Sequence, residues 1–207
     1  MNWLTQLERR MGRRYIRNLM QYLCIGMLGV FLLEYVPTLN SPWAFLRFDR
    51  GLILEGQIWR LITFIFLPPP GSIVTVIIQL YFFYFIGTAL ENQWGGARFN
   101  LYYGLGVLCS MAGGFLTGYA TNYYLNMTLM LAFAVLYPEM EVMLFFILPV
   151  KMKWLGLGWG AYLIYCFVMA YGWTVRAAIV LSLAPFLLLF GRQAWALLRT
   201  DFRRLFR

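Results

Sequence analysis

Long apolar runs dominate the chain, and short polar or proline-bearing breaks separate them. A helix that crosses a bilayer needs about 20 mostly apolar residues. Six runs approach that length: residues 19–36, 72–90, 99–120, 122–137, 154–171 and 175–190. The first stops before Pro37, the second is entered through Pro68-Pro69-Pro70-Gly71, and the fourth, the shortest, stops at Pro138. Only Tyr171-Gly172-Trp173-Thr174 divides the fifth from the sixth. The stretch 38–66 is interrupted by Pro42, Asp49, Arg50, Glu55 and Arg60 and does not read as a span. The pattern predicts an all-α integral membrane protein of six transmembrane helices, with the short fourth segment central and shielded from lipid.

Six spans place both termini on one side. Basic residues select the cytoplasmic side. The N-terminal flank carries Arg9, Arg10, Arg13, Arg14 and Arg17, and the turn after segment two Arg98. The loop after segment four adds Lys151 and Lys153, and the C-terminal flank Arg192, Arg199, Arg203, Arg204 and Arg207. The opposite side has only Arg47, Arg50, Arg60 and Arg176. Both termini are therefore expected in the cytoplasm. The short tails and arginine bias point to a prokaryotic plasma membrane, and no cleaved leader is expected. Trp3, Leu7, Met11 and Tyr15 recur every fourth residue among arginines, and Trp195, Leu198, Phe202 and Leu205 at every third or fourth. These are patterns of helices lying in the membrane interface or of a partner-docking surface. The expected organisation is an amphipathic segment 1–18, a membrane domain 19–191 and a basic amphipathic segment 192–207.

Composition sharpens the class. The chain is 62% hydrophobic and 12% charged, against about 25% charged in soluble domains. That excludes disorder, a nucleic-acid module and an ordinary soluble enzyme. The net charge of +9 suits cytoplasmic flanks facing anionic headgroups, so lipids are expected partners and nucleic acid is not. No histidine is present, which removes every Ser-His or Cys-His pair and every His-ligated metal. Cys24, Cys109 and Cys166 lie far apart in apolar segments and read as buried small hydrophobes. No metal and no cofactor are expected.

Several polar and small residues stand out within the apolar runs. Gly114 and Gly118, and Gly156 and Gly160, are spaced for close helix approach. Glu34, near the end of segment one, is an intramembrane acid that reaches interfacial water if the boundary lies there. Gln79, Asn126 and Thr128 are expected either to hydrogen-bond between helices or to line a hydrated, client-facing cavity. The sequon Asn126-Met127-Thr128 falls inside a span and is read as chance.

Three blocks then carry a resemblance. Glu55-Gly56-Gln57-Ile58-Trp59-Arg60-Leu61-Ile62-Thr63-Phe64 resembles the G-Q-x-W-R-x-x-T-x-F segment of the rhomboid superfamily, derlins included. Leu90-Glu91-Asn92-Gln93-Trp94-Gly95-Gly96-Ala97-Arg98-Phe99 is similar to that family's turn after its second core helix. Residues 137–155, from Tyr137-Pro138 through Leu148-Pro149 to Leu155, resemble its connection from helix four to helix five. The resemblance covers residues 56–191 and implies a six-transmembrane rhomboid-like bundle. Gln57, Trp59 and Arg60 match the family's interfacial motif; independently of the family, Trp59 suits headgroup level and Arg60 can bind phosphate or cap carbonyls there, either holding the loop in the outer interface or perturbing lipid to admit clients. Glu91, Gly95 and Arg98 are expected to fix a structural turn by an ion pair or carbonyl capping.

The chain departs from active rhomboids in two places. Their G-x-S-G nucleophile opens helix four, where this chain has Thr121-Asn122-Tyr123-Tyr124. Their histidine base lies in helix six, where it has Arg176-Ala177-Ala178-Ile179. The four serines are Ser41, Ser72, Ser110 and Ser182, and a serine needs an adjacent base to act as nucleophile. The resemblance thus implies a rhomboid-like pseudoprotease, close to derlins, with no catalytic residues. Its implied role is to bind transmembrane segments of client proteins in membrane protein quality control, with a membrane-bound ATP-dependent protease as the partner class. The aromatics Tyr81-Phe82-Phe83-Tyr84-Phe85 and Tyr162, Tyr165 and Phe167 either fill grooves or form a client gate. The alternatives are an intramembrane serine protease with a non-standard site and a small lipid- or solute-translocating protein.

Overall fold

A computed structural model of the chain describes residues 15–36, 42–118, 120–144 and 148–205. The amphipathic positions Trp3, Leu7 and Met11, and Ser41, lie outside them. A helix occupies each of the six apolar runs. They are α1 (Leu19–Leu33), α5 (Ile73–Trp94), α6 (Gly96–Thr117), α7 (Tyr123–Leu136), α8 (Met152–Met169) and α9 (Trp173–Leu205). Between α1 and α5 the broken stretch forms three short helices, α2 (Pro42–Leu46), α3 (Arg50–Leu54) and α4 (Arg60–Thr63), and a 3₁₀ turn, Phe64–Phe66.

Local chemistry sets the boundaries. Ser72 Oγ accepts from the Thr75 N–H and opens α5, while Gly95 at φ 84° closes it. A positive φ costs glycine nothing, so the chain reverses there into α6 within one residue. Asp49 Oδ1 accepts from the Gly51 and Leu52 N–H groups and caps α3. Gly172, at φ 91°, makes the break between α8 and α9.

Three helices are long and apolar enough to cross a membrane: Ile73–Trp94, Gly96–Thr117 and the Trp173–Gly191 part of α9. The protein is therefore a mostly helical membrane protein. Helices α1 and α7 are apolar but shorter. Helix α7 lies at the centre, packed against α9, α8, α5 and α6. Leu125, Leu129, Ala132 and Phe133 on it are essentially unexposed, and its core includes Leu90, Phe99, Tyr102 and Phe190.

Two features differ from the sequence-based expectations. The stretch between segments four and five is not a plain connection. Strands β1 (Glu141–Leu144) and β2 (Leu148–Lys151) pair antiparallel, with Val142 opposite Val150. Met152 N–H donates to the Met140 carbonyl at the open end, and Glu139 bridges Lys151 and Lys153 at 2.8 Å each. The two ammonium groups hold the exposed Glu139 carboxyl down to about 2. A four-residue strand inside an apolar run leaves no period long enough to separate it from the helices on either side.

The glycine pairs also divide their roles. A Cβ at Gly156 would strike the Ala134 Cβ and one at Gly160 would meet Leu131, so this pair beds α8 on α7. Gly114 faces the Phe48 ring and Ala120 instead of another long helix, and Gly118, at φ 83°, ends α6.

Candidate functional site

The bundle has two ends. One carries α2–α4, the α6–α7 turn and the α8–α9 turn; the other carries the Gly95 turn and the hairpin. Of the positions that the rhomboid resemblance singles out, Gln57, Trp59, Arg60 and the Thr121–Tyr124 stretch fall at the first end, and Glu91, Gly95, Arg98 and the 137–155 connection at the other.

Arg60 is buried, 3% exposed, at the start of α4. Its Nη1 donates to the Ala44 and Arg47 carbonyls at 2.8 and 2.9 Å, and its Nε to Gln57 Oε1 at 2.7 Å. Thr63 Oγ1 donates to the Leu46 carbonyl at 3.0 Å. A planar guanidinium suits this task, because several fixed donors reach separate acceptors from one charge. Of the two roles weighed for Arg60, the geometry has it capping carbonyls. Trp59 is partly exposed and stacks on Phe45 at 5.3 Å. Gln57, Trp59 and Arg60 are thus brought together.

Asn122 precedes α7, where the family's nucleophile motif would fall. It is 5% exposed, and its Nδ2 donates to the Ile65 and Leu67 carbonyls at 2.9 and 2.8 Å. The side chain ties the 3₁₀ turn to the head of the central helix. Below it Met127, Leu163 and Ile179 form an apolar cluster, with Tyr123 and Tyr124 packed against it. The titratable groups packed there are Tyr123, Tyr124 and Cys166.

The remaining serines have other duties. Ser72 caps α5. Ser110 on α6 and Ser182 on α9 are 4% and 2% exposed, and their hydroxyls lie 3.4 Å apart. They join two helices that pack closely. Lys151 and Lys153 lie at the hairpin end, each bonded to Glu139. No described serine therefore has a general base beside it.

The interior polar residues separate into two sets. Thr128 is fully buried; it accepts from the Tyr102 hydroxyl at 2.8 Å and donates to the Leu125 carbonyl at 2.7 Å. That is structural bonding between α6 and α7. Gln79 Oε1, Asn126 Oδ1 and Tyr103 Oη are buried without a hydrogen-bond partner. Gln79 and Asn126 are not joined through these oxygens.

At the other end Glu91 Oε1 accepts the Asn18 N–H at 2.7 Å. The carboxylate caps the first turn of α1, where free N–H groups and the helix dipole favour negative charge. Gly95 supplies the turn, and Arg98 is engaged in contacts of its own. Sequence reasoning missed this long-range cap, and it missed the Asn122 clamp, whose one available signal was an asparagine just ahead of a helix. No described group of three His, Cys, Asp or Glu side chains can hold a metal.

A scan against protein-family models finds no match for this chain, and no curated protein matches it either.

Proposed function

We propose that the chain is a rhomboid-like membrane protein of six spans without proteolytic chemistry, which binds transmembrane segments of client proteins. The observation that carries this reading is Asn122. It stands where the resemblance would put a nucleophile and is committed, through both its amide hydrogens, to holding the loop onto α7. The absence of histidine from the whole chain supports the same reading.

Client binding draws support from the flank between α5 and α8. Both pack on α7 rather than extensively on each other. Tyr81 and Tyr84 on α5 and Tyr162, Tyr165 and Phe167 on α8 are exposed. Large rings give contact area without the tight backbone approach of small residues, which suits a reversible occupant. Delivery of the client to a membrane-bound ATP-dependent protease, in a prokaryotic plasma membrane with cytoplasmic termini, completes the proposal.

A photoreactive amino acid at Tyr81 or Tyr165, used in native membranes, tests it. Crosslinks to other proteins' membrane segments are expected. Crosslinks confined to lipid would favour the lipid-moving alternative and defeat client binding.

A further inference from the structure

At the end of α1 a cleft of about 200 Å³ opens between that helix, α2 and the turn that enters α5. Its walls are Phe31, Glu34, Trp43 and the Pro68–Gly71 turn. Glu34 is exposed. Trp43 Nε1 donates to its Oε2 at 3.2 Å, and no cation pairs with it among the described residues. We infer that this cleft is a binding site for an organic ammonium group, of the primary, ethanolamine type, as found in a lipid headgroup or a free amine.

The chemistry of the walls supports that class. The carboxylate supplies a negative charge, and its second oxygen remains able to accept a hydrogen bond. A primary ammonium has three donors to offer it. Phe31 and Trp43 line the cleft, and aromatic rings attract a cation that reaches a face. Anions find few donors here beyond the Gly71 N–H. Proline has no backbone N–H, so Pro68, Pro69 and Pro70 present carbonyls and ring carbons only. The one side-chain donor in the wall, the Trp43 indole, is already given to Glu34. A metal ion is disfavoured because a single carboxylate is present and no described cluster of three ligating side chains exists. A quaternary ammonium gains the charge and ring contacts but not the hydrogen bond, so it ranks second. None of this depends on whether the protein binds clients or lacks a protease site.

The test uses the full chain purified in mild detergent. Native mass spectrometry counts retained phosphatidylethanolamine, phosphatidylcholine and phosphatidylglycerol of identical acyl chains. The retention that Glu34→Gln removes should fall in the order ethanolamine, then choline, then glycerol, because glycerol lipid held by the basic flanks does not depend on Glu34. Glu34→Gln should weaken ethanolamine-lipid retention about tenfold, the loss of one charge-assisted hydrogen bond, while Glu55→Gln, at an exposed acid elsewhere in the loop, leaves it unchanged. Trp43→Phe keeps a ring but frees the carboxylate, and should reduce retention less than Glu34→Gln. Displacement of the lipid by millimolar ethanolamine identifies a free amine as an equal occupant; persistence identifies the lipid headgroup. Equal loss of the ethanolamine and glycerol lipids on Glu34→Gln, or a folded Glu34→Gln protein that retains as much ethanolamine lipid as the parent, would overturn the inference.

Discussion

Arg60 and Asn122 hold the same loop from opposite sides. One gathers carbonyls from within it, the other pins its last turn to the central helix. Removing either leaves buried acceptors unpaired, which costs more than the hydrogen bond itself. Arg60→Ala should lower stability by roughly 3 kcal/mol, and Arg60→Lys should recover only part of that, because an ammonium placed at the Nη1 position to meet the two carbonyls leaves Gln57 Oε1, which Nε serves, without its donor. Asn122→Ser should cost about 1–3 kcal/mol. Unfolding in detergent, followed by tryptophan fluorescence, measures both. The Asn122→Ser protein should also stay unlabelled by a fluorophosphonate probe, since no base adjoins the new hydroxyl. Stoichiometric labelling would show that a base had been overlooked. The Gln57-Trp59-Arg60 group was legible in the sequence as a unit only through its resemblance to the rhomboid segment. Which partners it has was not, since backbone carbonyls leave no trace in residue identity. The Glu91 bond to the Asn18 N–H was hidden for the same reason, 73 residues apart in sequence.

At the scale of elements, apolar runs and their breaks predicted where the long helices lie, with ends displaced by a few residues except in α9, which runs on to Leu205 where a break after residue 191 was expected. Pro and Gly marked those ends because their backbone preferences are local. The hairpin escaped, being shorter than any period that would reveal it. Its Glu139 pairing has a pH consequence. The carboxyl is held below its unfolded value of 4.5 down to about 2. The pairing therefore contributes fully above the unfolded value and is lost as pH falls through that window. Amide protection at Val142 and Val150 should drop between those limits, and Glu139→Gln should remove the step. The α7–α8 contact offers a packing test. Gly156→Val drives a side chain into Ala134 and should cost about 1–3 kcal/mol. Gly158→Val, which meets open space, should cost far less. Thermal unfolding of the two proteins side by side gives the comparison.

Taken whole, the molecule surrounds a short, largely apolar helix with longer ones. Part of its polar interior forms joints, Tyr102 with Thr128 and Ser110 with Ser182, while Gln79, Tyr103 and Asn126 keep a buried oxygen without a partner. Purified protein should leave rhomboid model substrates uncleaved at any pH, and substrate gels would report the contrary directly. The longest helix adds a mechanical consequence. Helix α9 has 33 residues, about 50 Å at 1.5 Å per residue, well beyond the roughly 30 Å of a hydrocarbon core. It runs unbroken past Gly191, so residues 192–205 are an extension of the same rod. Pro185 removes one backbone bond inside it, and a helix bends most readily at such a point. Tilt imposed by the bilayer on the membrane half is carried into the far half, reduced only by what Pro185 absorbs. The arginines at 192, 199, 203 and 204 thus ride on a lever whose fulcrum lies within the membrane.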